Sequence, residues 1–277
     1  MSPTLEATIR ISAFAGVLLA MALWEWLAPR RMLIAGKAGR WTSNLLLVVL
    51  NSIAARLLVP LTAIAAATAA ERGGWGLLPY LDWPAWIEIP LAVIALDLVI
   101  YLQHVMFHAV PALWRLHLVH HADLDIDVTT GVRFHTVEIV LSLLLKLAAI
   151  AALGPSPWAV LAFEVLLNAT SMFNHSNIRM PAPLDRLLRA IVVTPDMHRV
   201  HHSTLRHETN SNFGFNLPWW DYLFGTYRYQ PEQGHEKMQI GLEQLRDEHQ
   251  VDRLPSMLLL PLTKNEGPYP IGKRNGG

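Results

Sequence analysis

The sequence predicts an all-α integral membrane protein, with about four to five transmembrane or re-entrant helices and a histidine-rich helical cap on the cytoplasmic side. Three observations lead there. Of the 277 residues, 52% are hydrophobic and only 16% charged, whereas a soluble domain carries about 25% charged residues; much of the surface therefore faces something other than water. Several apolar runs approach the roughly 20 residues that a bilayer-crossing helix needs. Finally, ten of the thirteen histidines fall between His104 and His202.

The elements follow in order. A first span runs from about Ile9 to Ala28; it lacks a cleavage-site pattern and is followed by further spans, so it reads as an anchor rather than a removed signal. A second covers about Leu45 to Ala70 and carries Arg56. A third extends from about Trp86 to His108. Two shorter segments, about Val137–Leu153 and Trp158–Phe173, form a hairpin joined by Gly154-Pro155-Ser156-Pro157, and Lys146 and Glu164 interrupt them. They read as full crossings or as re-entrant helices. Trp24, Trp26, Trp41, Trp75, Trp83 and Trp86 sit near span ends, as an interfacial belt requires. The chain divides into anchor helices (1–90), a catalytic domain (91–242) and a cytoplasmic tail (243–277), whose end, GPYPIGKRNGG, is expected to fray.

Orientation follows from the bias of lysine and arginine toward the cytoplasm. Arg30, Arg31, Lys37 and Arg40 lie between the first two spans, whereas the next loop offers Arg72 alone. Counting crossings then places both histidine-rich regions on the cytoplasmic side. A formal net charge of zero gives no basic excess to attract nucleic acid, and the absence of cysteine excludes disulfides, iron–sulfur ligation and thiol catalysis. Any metal must be held by nitrogen and oxygen.

Three motifs concentrate the histidines: His104-Val-Met-Phe-His108, His117-Leu-Val-His120-His121 and His198-Arg-Val-His201-His202. On a helix, positions i, i+3 and i+4 share a face, so each motif presents its imidazoles together. Eight are too many for one tetrahedral zinc and suit two metals with open positions. Imidazole serves zinc, copper, iron and nickel alike, so ligand type leaves the metal open.

HVMFH, HLVHH and HRVHH, in that order in a membrane protein, resemble the fatty acid hydroxylase and sterol desaturase family. GVRFHTVE (131–138), NHSNI (174–178), VTPDMHRVHHS (193–203) and ETNSNFGFNLPWWDYLFGTY (208–227) are similar to its bacterial members, and the likeness covers about Leu91 to Leu242. The resemblance implies a di-iron centre that uses O2 and an external electron donor, a separate electron-transfer protein, to hydroxylate or desaturate a lipid C–H bond: sterol-like, fatty acyl, ether lipid or carotenoid. It implies His104, His108, His117, His120, His121, His198, His201 and His202 as metal ligands, with His175 where many members add one more; Ser171, four residues earlier, breaks the HxxxH form of that motif. The setting that this resemblance to bacterial members leads one to expect is the bacterial inner membrane.

Metal-bound histidines are normally oriented by a group that accepts their other N–H. Asp123, Asp125, Asp127, Glu138, Asn177 and Asp196 are close enough in sequence, Asp196 reading equally as a helix N-terminal residue stabilised by the dipole; His135 reads as a further ligand, or else as a member of this outer group or a helix-entry residue. Asp97, two turns before His104, reads as a hydrogen-bonding group within the bundle. His207, His235 and His249 fall outside the spacings and are expected at the surface. PWWDYLFGTY reads as a core piece of the cap, with membrane docking as its alternative. Two other functions stay open on the residues alone: a zinc-dependent membrane hydrolase, against which stands the absence of HExxH, and a divalent-metal carrier, whose sites usually lie near the bilayer midplane.

Overall fold

The structure, a computed structural model, describes residues 2–264 and 267–271. Among these residues it is all helix, with isolated bridges but no strand. Helix α1 (Pro3–Leu27) starts at Ser2, whose hydroxyl accepts from the Leu5 amide, with proline at the first helical position. Helix α2 (Lys37–Leu58) stops before Pro60, which can neither donate to the ladder nor tolerate a helical predecessor. Helix α3 (Ala63–Gly73) restarts from the Thr62 cap. The second predicted span is therefore two helices. Helix α4 (Ala85–Ala109) meets α5 (Pro111–His121) at a break that Pro111 permits as the first residue of α5. Helices α6 (Thr136–Leu153) and α7 (Pro157–Asn174) form the expected hairpin. Two shorter helices of the cap, α8 (Ala182–Leu188) and α9 (Pro195–His201), follow.

Among the described residues four stretches are long and apolar enough to cross a membrane: Pro3–Leu27, Lys37–Gly73, Ala85–Ala109 and Thr136–Leu153. Their outward side chains, Leu19, Ile53, Leu57 and Trp86 among them, are exposed and apolar, as lipid-facing surfaces are. Helix α7 is more enclosed, with Phe163 fully buried, and packs against α1, α3 and α4.

At one end of the bundle the hairpin turn and the α3–α4 connection close together. Gly154 adopts a left-handed φ of 64°, and a Cβ there would fall 2.4 Å from the Trp75 carbonyl. Ser156 donates to Glu88 from backbone and side chain. At the opposite end the cap is knitted to the helix termini. Glu25 of α1 accepts from the amides of Val128 and Asn177, and Arg40 of α2 pairs with Asp123 and Asp127, all three buried.

Two expectations fail here. The end expected to fray is ordered where it is described: Tyr269 is buried against Trp114 of α5, as Leu245, Val251, Met257 and Leu260 before it are buried in the same cluster; residues 272–277 of that end lie outside the described residues. PWWDYLFGTY is not a core piece either. Trp219, Tyr222, Leu223 and Phe224 are exposed, while Pro218 and Asp221 are buried. Apolar content identified a segment that avoids water without saying which apolar medium covers it.

Candidate metal centre

Nine histidines converge at the cap end of the bundle. His104 and His108 lie on the last turns of α4, His117, His120 and His121 on α5, His175 caps α7, and His198, His201 and His202 end α9. All nine are buried. They sort into two sets in which the ligand atoms lie within 4.8 Å of one another: His104, His108, His117, His121 and His201 in one, His120, His175, His198 and His202 in the other.

The rings are oriented from outside. His104 Nδ1 donates to the Phe213 carbonyl at 2.8 Å, His108 Nδ1 to Asn210 Oδ1 at 3.0 Å, and His201 Nδ1 to the Ser211 carbonyl at 2.7 Å. His117 Nδ1 donates to Glu138 Oε1 at 2.7 Å, His120 Nδ1 to the Arg133 carbonyl at 3.2 Å, and His175 Nδ1 to the Ser171 carbonyl at 2.7 Å. With Nδ1 committed outward, Nε2 points inward. His104 and His117 bring their Nε2 atoms to 3.1 Å, His120 and His175 to 3.1 Å, and His175 and His198 to 3.0 Å. In the first two pairs both rings spend their hydrogen on the outward Nδ1, so nitrogens that close are repulsive unless something cationic lies between them; His198 Nδ1 is itself buried without a partner. Nε2 of His108 and His201, and both ring nitrogens of His121 and His202, are buried with no protein partner.

Burial removes the protonated form. It pushes His117 and His175 down to about 3 and, with the neighbouring imidazoles, holds His120, His121, His198, His201 and His202 well below the ordinary 6.5. Neutral imidazole is the form that ligates a metal. Orphaned inward nitrogens, outward acceptors and neutral rings together fit two metal ions, one per set.

Of the expected outer partners, Glu138 takes that place and the others do not. Asp123 and Asp127 are spent on Arg40, and Asp125 accepts from the amides of Ile34 and Ala35. Asn177 exchanges hydrogen bonds with the Arg31 backbone. Asp196 pairs with Arg30 and Arg199. His135 caps α6: its Nδ1 accepts from the Val137 amide, and it belongs to neither set. Their carboxylates and amides tie the cap to α1 and α2, a demand that sequence proximity to the motifs does not reveal. His235, expected at the surface with His207 and His249, is instead buried beside Arg199 and Asp196; the other two are exposed.

Five acceptors went unforeseen: the carbonyls of Arg133 and Ser171, and, grouped together, Asn210 and the carbonyls of Ser211 and Phe213. These last three lie in a loop that Asp97 anchors by accepting from the amides of Asn216 and Leu217 and from Trp220 Nε1, the intrabundle role expected of it. Asn210 in turn donates to the Tyr269 carbonyl, so the C-terminal segment supports His108. Ser171, which breaks the HxxxH spacing, donates its hydroxyl to the Gly131 carbonyl at 2.6 Å. A Cβ on Gly131 would meet the Ser171 carbonyl at 2.3 Å, so only glycine lets this loop lie against α7.

A cavity of about 350 Å3 reaches the first set from within the bundle. It lies between α1, α2, α4, α6 and α7, and His104 and His117 form part of its wall with Phe14, Ile100, Phe107 and Phe134.

Residues 89–226 match the fatty acid hydroxylase family. An ornithine lipid hydroxylase (OlsE) of Rhizobium tropici is 35% identical over 157 residues, 54% of this chain and 44% of that protein. The alkylglycerol monooxygenase of Homo sapiens is 31% identical over 153 residues, 54% of this chain and 32% of that one. That of Xenopus tropicalis is 30% identical over 164 residues, 58% and 33% respectively. The match thus spans less than half the length of each of these relatives. No solved structure matches the chain significantly.

Proposed function

Because residues 89–226 of this chain belong to the fatty acid hydroxylase family, a family of metal-dependent oxygenases, we propose that it is a membrane-bound di-iron enzyme that hydroxylates or desaturates a lipid C–H bond with O2. The observation that carries this reading is the cavity: an apolar space at the level of the spanning helices, closed at one end by His104 and His117. A water-soluble substrate would have no reason to approach metal ligands through the bundle.

In this reading each histidine set holds one iron, and iron so held supplies the power to activate O2 and break an unactivated C–H bond. The chain's own residues do the rest. Phe107, Phe134 and Phe215 line the cavity beside the histidines and exclude water from the reacting carbon. Glu138 fixes the His117 ring and takes up the positive character that ligation confers on it. Electrons come from a separate donor protein.

We further infer that the enzyme sits in the bacterial inner membrane with its cap in the cytoplasm. The support is the cluster of Arg30, Arg31, Lys37 and Arg40 at the cap end of α1 and α2. Catalytic domain and flanking segments divide as 1–90, 91–242 and 243–277, with Leu245, Val251, Met257, Leu260 and Tyr269 of the last segment packed against α5 and Tyr269 bonded to Asn210.

Metal analysis of anaerobically purified protein tests the reading. Two irons per chain, O2 consumption, and a host lipid that gains one oxygen or loses two hydrogens are expected. His120→Ala and His201→Ala, one from each set, each abolish turnover while leaving membrane insertion intact. Stoichiometric zinc without O2 dependence would overturn it.

A further inference from the structure

The cavity is not lined as a hydrocarbon slot would be. Between the aromatic side chains runs a polar track: Glu138, Ser142 and Lys146 succeed one another at i, i+4 and i+8 on α6, and Gln103 of α4 faces them. Gln103 Nε2 donates to Ser142 Oγ at 2.6 Å. Its Oε1 is buried with no partner, and exchanging the two ends of the carboxamide leaves an orphan all the same. With its oxygen engaged as acceptor, the Ser142 hydroxyl hydrogen is left to point elsewhere. Lys146 spends one N–H on Glu164, which also takes Arg10, itself paired with Glu6; this four-group chain is formally neutral. An ammonium has three N–H groups, so Lys146 retains donors on the cavity side. Unpaired polar atoms at membrane depth are costly and mark function.

Gln103 immediately precedes His104, and Lys146 stands two turns, about 12 Å, beyond Glu138 along α6. The polar track therefore begins beside the histidines rather than at a distant mouth.

We propose that Gln103 and Ser142 bind a hydrogen-bonding group of the substrate, one that both donates and accepts, such as a hydroxyl or a secondary amide. The substrate is thus an amphiphile oxidised close to its polar linkage and not far along an unmarked tail. Gln103 Oε1 takes the donor hydrogen, and the Ser142 hydroxyl and Lys146 supply the acceptor oxygen with its hydrogen bonds. Gln103 is a positioning residue: it chooses which carbon stands before the metal site. This inference rests on the lipid-oxygenase reading but is tested without turnover.

The probes are hexadecanol and its methyl ether, which keep the same chain and the same oxygen; the ether lacks the donor. Each competes against a fluorescent long-chain alcohol for the full-length protein as purified, held anaerobically in nanodiscs so that no turnover occurs, with concentrations expressed per lipid so that partitioning cancels. The wild type is expected to hold the alcohol about tenfold more tightly than the ether, the size of one well-placed hydrogen bond in a dry site. Gln103→Met, which keeps the volume and removes the acceptor, collapses that ratio to about one while leaving ether affinity unchanged. Ser142→Ala lowers affinity for both probes together. A purely structural Gln103 would change both affinities, or the melting temperature, without moving their ratio. Equal binding of the two probes by the wild type, or a ratio that survives Gln103→Met, overturns the inference alone. Failure of both probes to compete overturns it together with the lipid-substrate reading.

Discussion

Removal of the Glu138 carboxylate tests whether the two histidine sets are separate sites. Glu138 is buried on the first turn of α6, and its Oε1 accepts from His117 Nδ1 at 2.7 Å. Its other oxygen is buried with no protein partner, so the bond to His117 is what the carboxylate does. In Glu138→Ala the imidazole N–H is left unsatisfied in a dry site, which costs about 1–3 kcal/mol. The ring also loses the anion that holds its orientation and raises its basicity as a ligand. Outer partners of metal-bound histidines are worth about 10- to 100-fold in metal affinity, or about 1.4–2.8 kcal/mol at 1.4 per decade. The two estimates agree because they describe the same bond.

The effect is expected to be local. His117 belongs to the set with His104, His108, His121 and His201, so that set weakens 10- to 100-fold while the other keeps its metal. Competition against a chelator of graded strength, read by elemental analysis, should show one ion per chain released at about one to two decades lower chelator concentration. The second ion should leave where it does in the wild type. Glu138→Gln, which retains an acceptor oxygen but no charge, should fall between. Unchanged release of both ions, or parallel loss of both, would refute the assignment of His117 to one of two independent sites.

Further outcomes follow from the same geometry. In metal-free protein the buried rings, with His117 and His175 held down to about 3, resist protonation that the unfolded chain accepts near 6.5. Stability is therefore full above that value and is lost as pH falls through it, by about 2 kcal/mol for His175 alone between pH 7 and pH 5; a melting temperature that stays flat over this range would contradict the burial. Gly131→Ala forces a Cβ to 2.3 Å from the Ser171 carbonyl and should destabilise by about 1–3 kcal/mol. It should empty the second set first, because the Arg133 and Ser171 carbonyls that orient His120 and His175 flank the clash; wild-type melting and metal content would count against it. The chain has no cysteine, so single cysteines report topology without background. Glu71→Cys, beside the distal turn, should react with impermeant maleimide in intact cells and Glu248→Cys, near the cap, only after lysis; the reverse pattern would invert the proposed orientation.

How far the sequence discloses this architecture depends on the range of the interaction. Hydropathy located most of the helices, and local chemistry accounts for their ends: Ser2, Thr62 and Ser156 cap helices, and Gly154 closes α6. Pro60 broke the second span because one proline outweighs many apolar neighbours, a local fact that a hydropathy average smooths away. Long-range pairing was less legible. Asp123 and Asp127 stand within a few residues of the HxxHH motif, yet they belong to Arg40, more than eighty positions earlier. Spacing along the chain reports which groups share a helix face and is silent about which distant cation arrives there. The carbonyls of Ser211 and Phe213 have no side-chain signature at all, since any residue supplies a carbonyl; what distinguishes them is the loop held by Asp97.

The partition of the histidines carries this furthest. Residues at i and i+4 lie about 40° apart around a helix, whereas i+3 lies about 60° to the other side. His104 and His108, His117 and His121, and His198 and His202 each stay together in one set, while the i+3 members, His120 and His201, cross to the other. Helices α5 and α9 thus lie between the two sets and contribute to both, and adjacent histidines in one motif belong to different sets. His120→Ala and His121→Ala, neighbours in sequence, should each cost one ion, but of opposite kinds. Combined with Glu138→Ala, His121→Ala should add little further metal loss, because both act on one site, whereas His120→Ala should remove the second ion as well. Equal additivity in the two double variants would mean a single shared cluster, and the separation into five and four would be wrong.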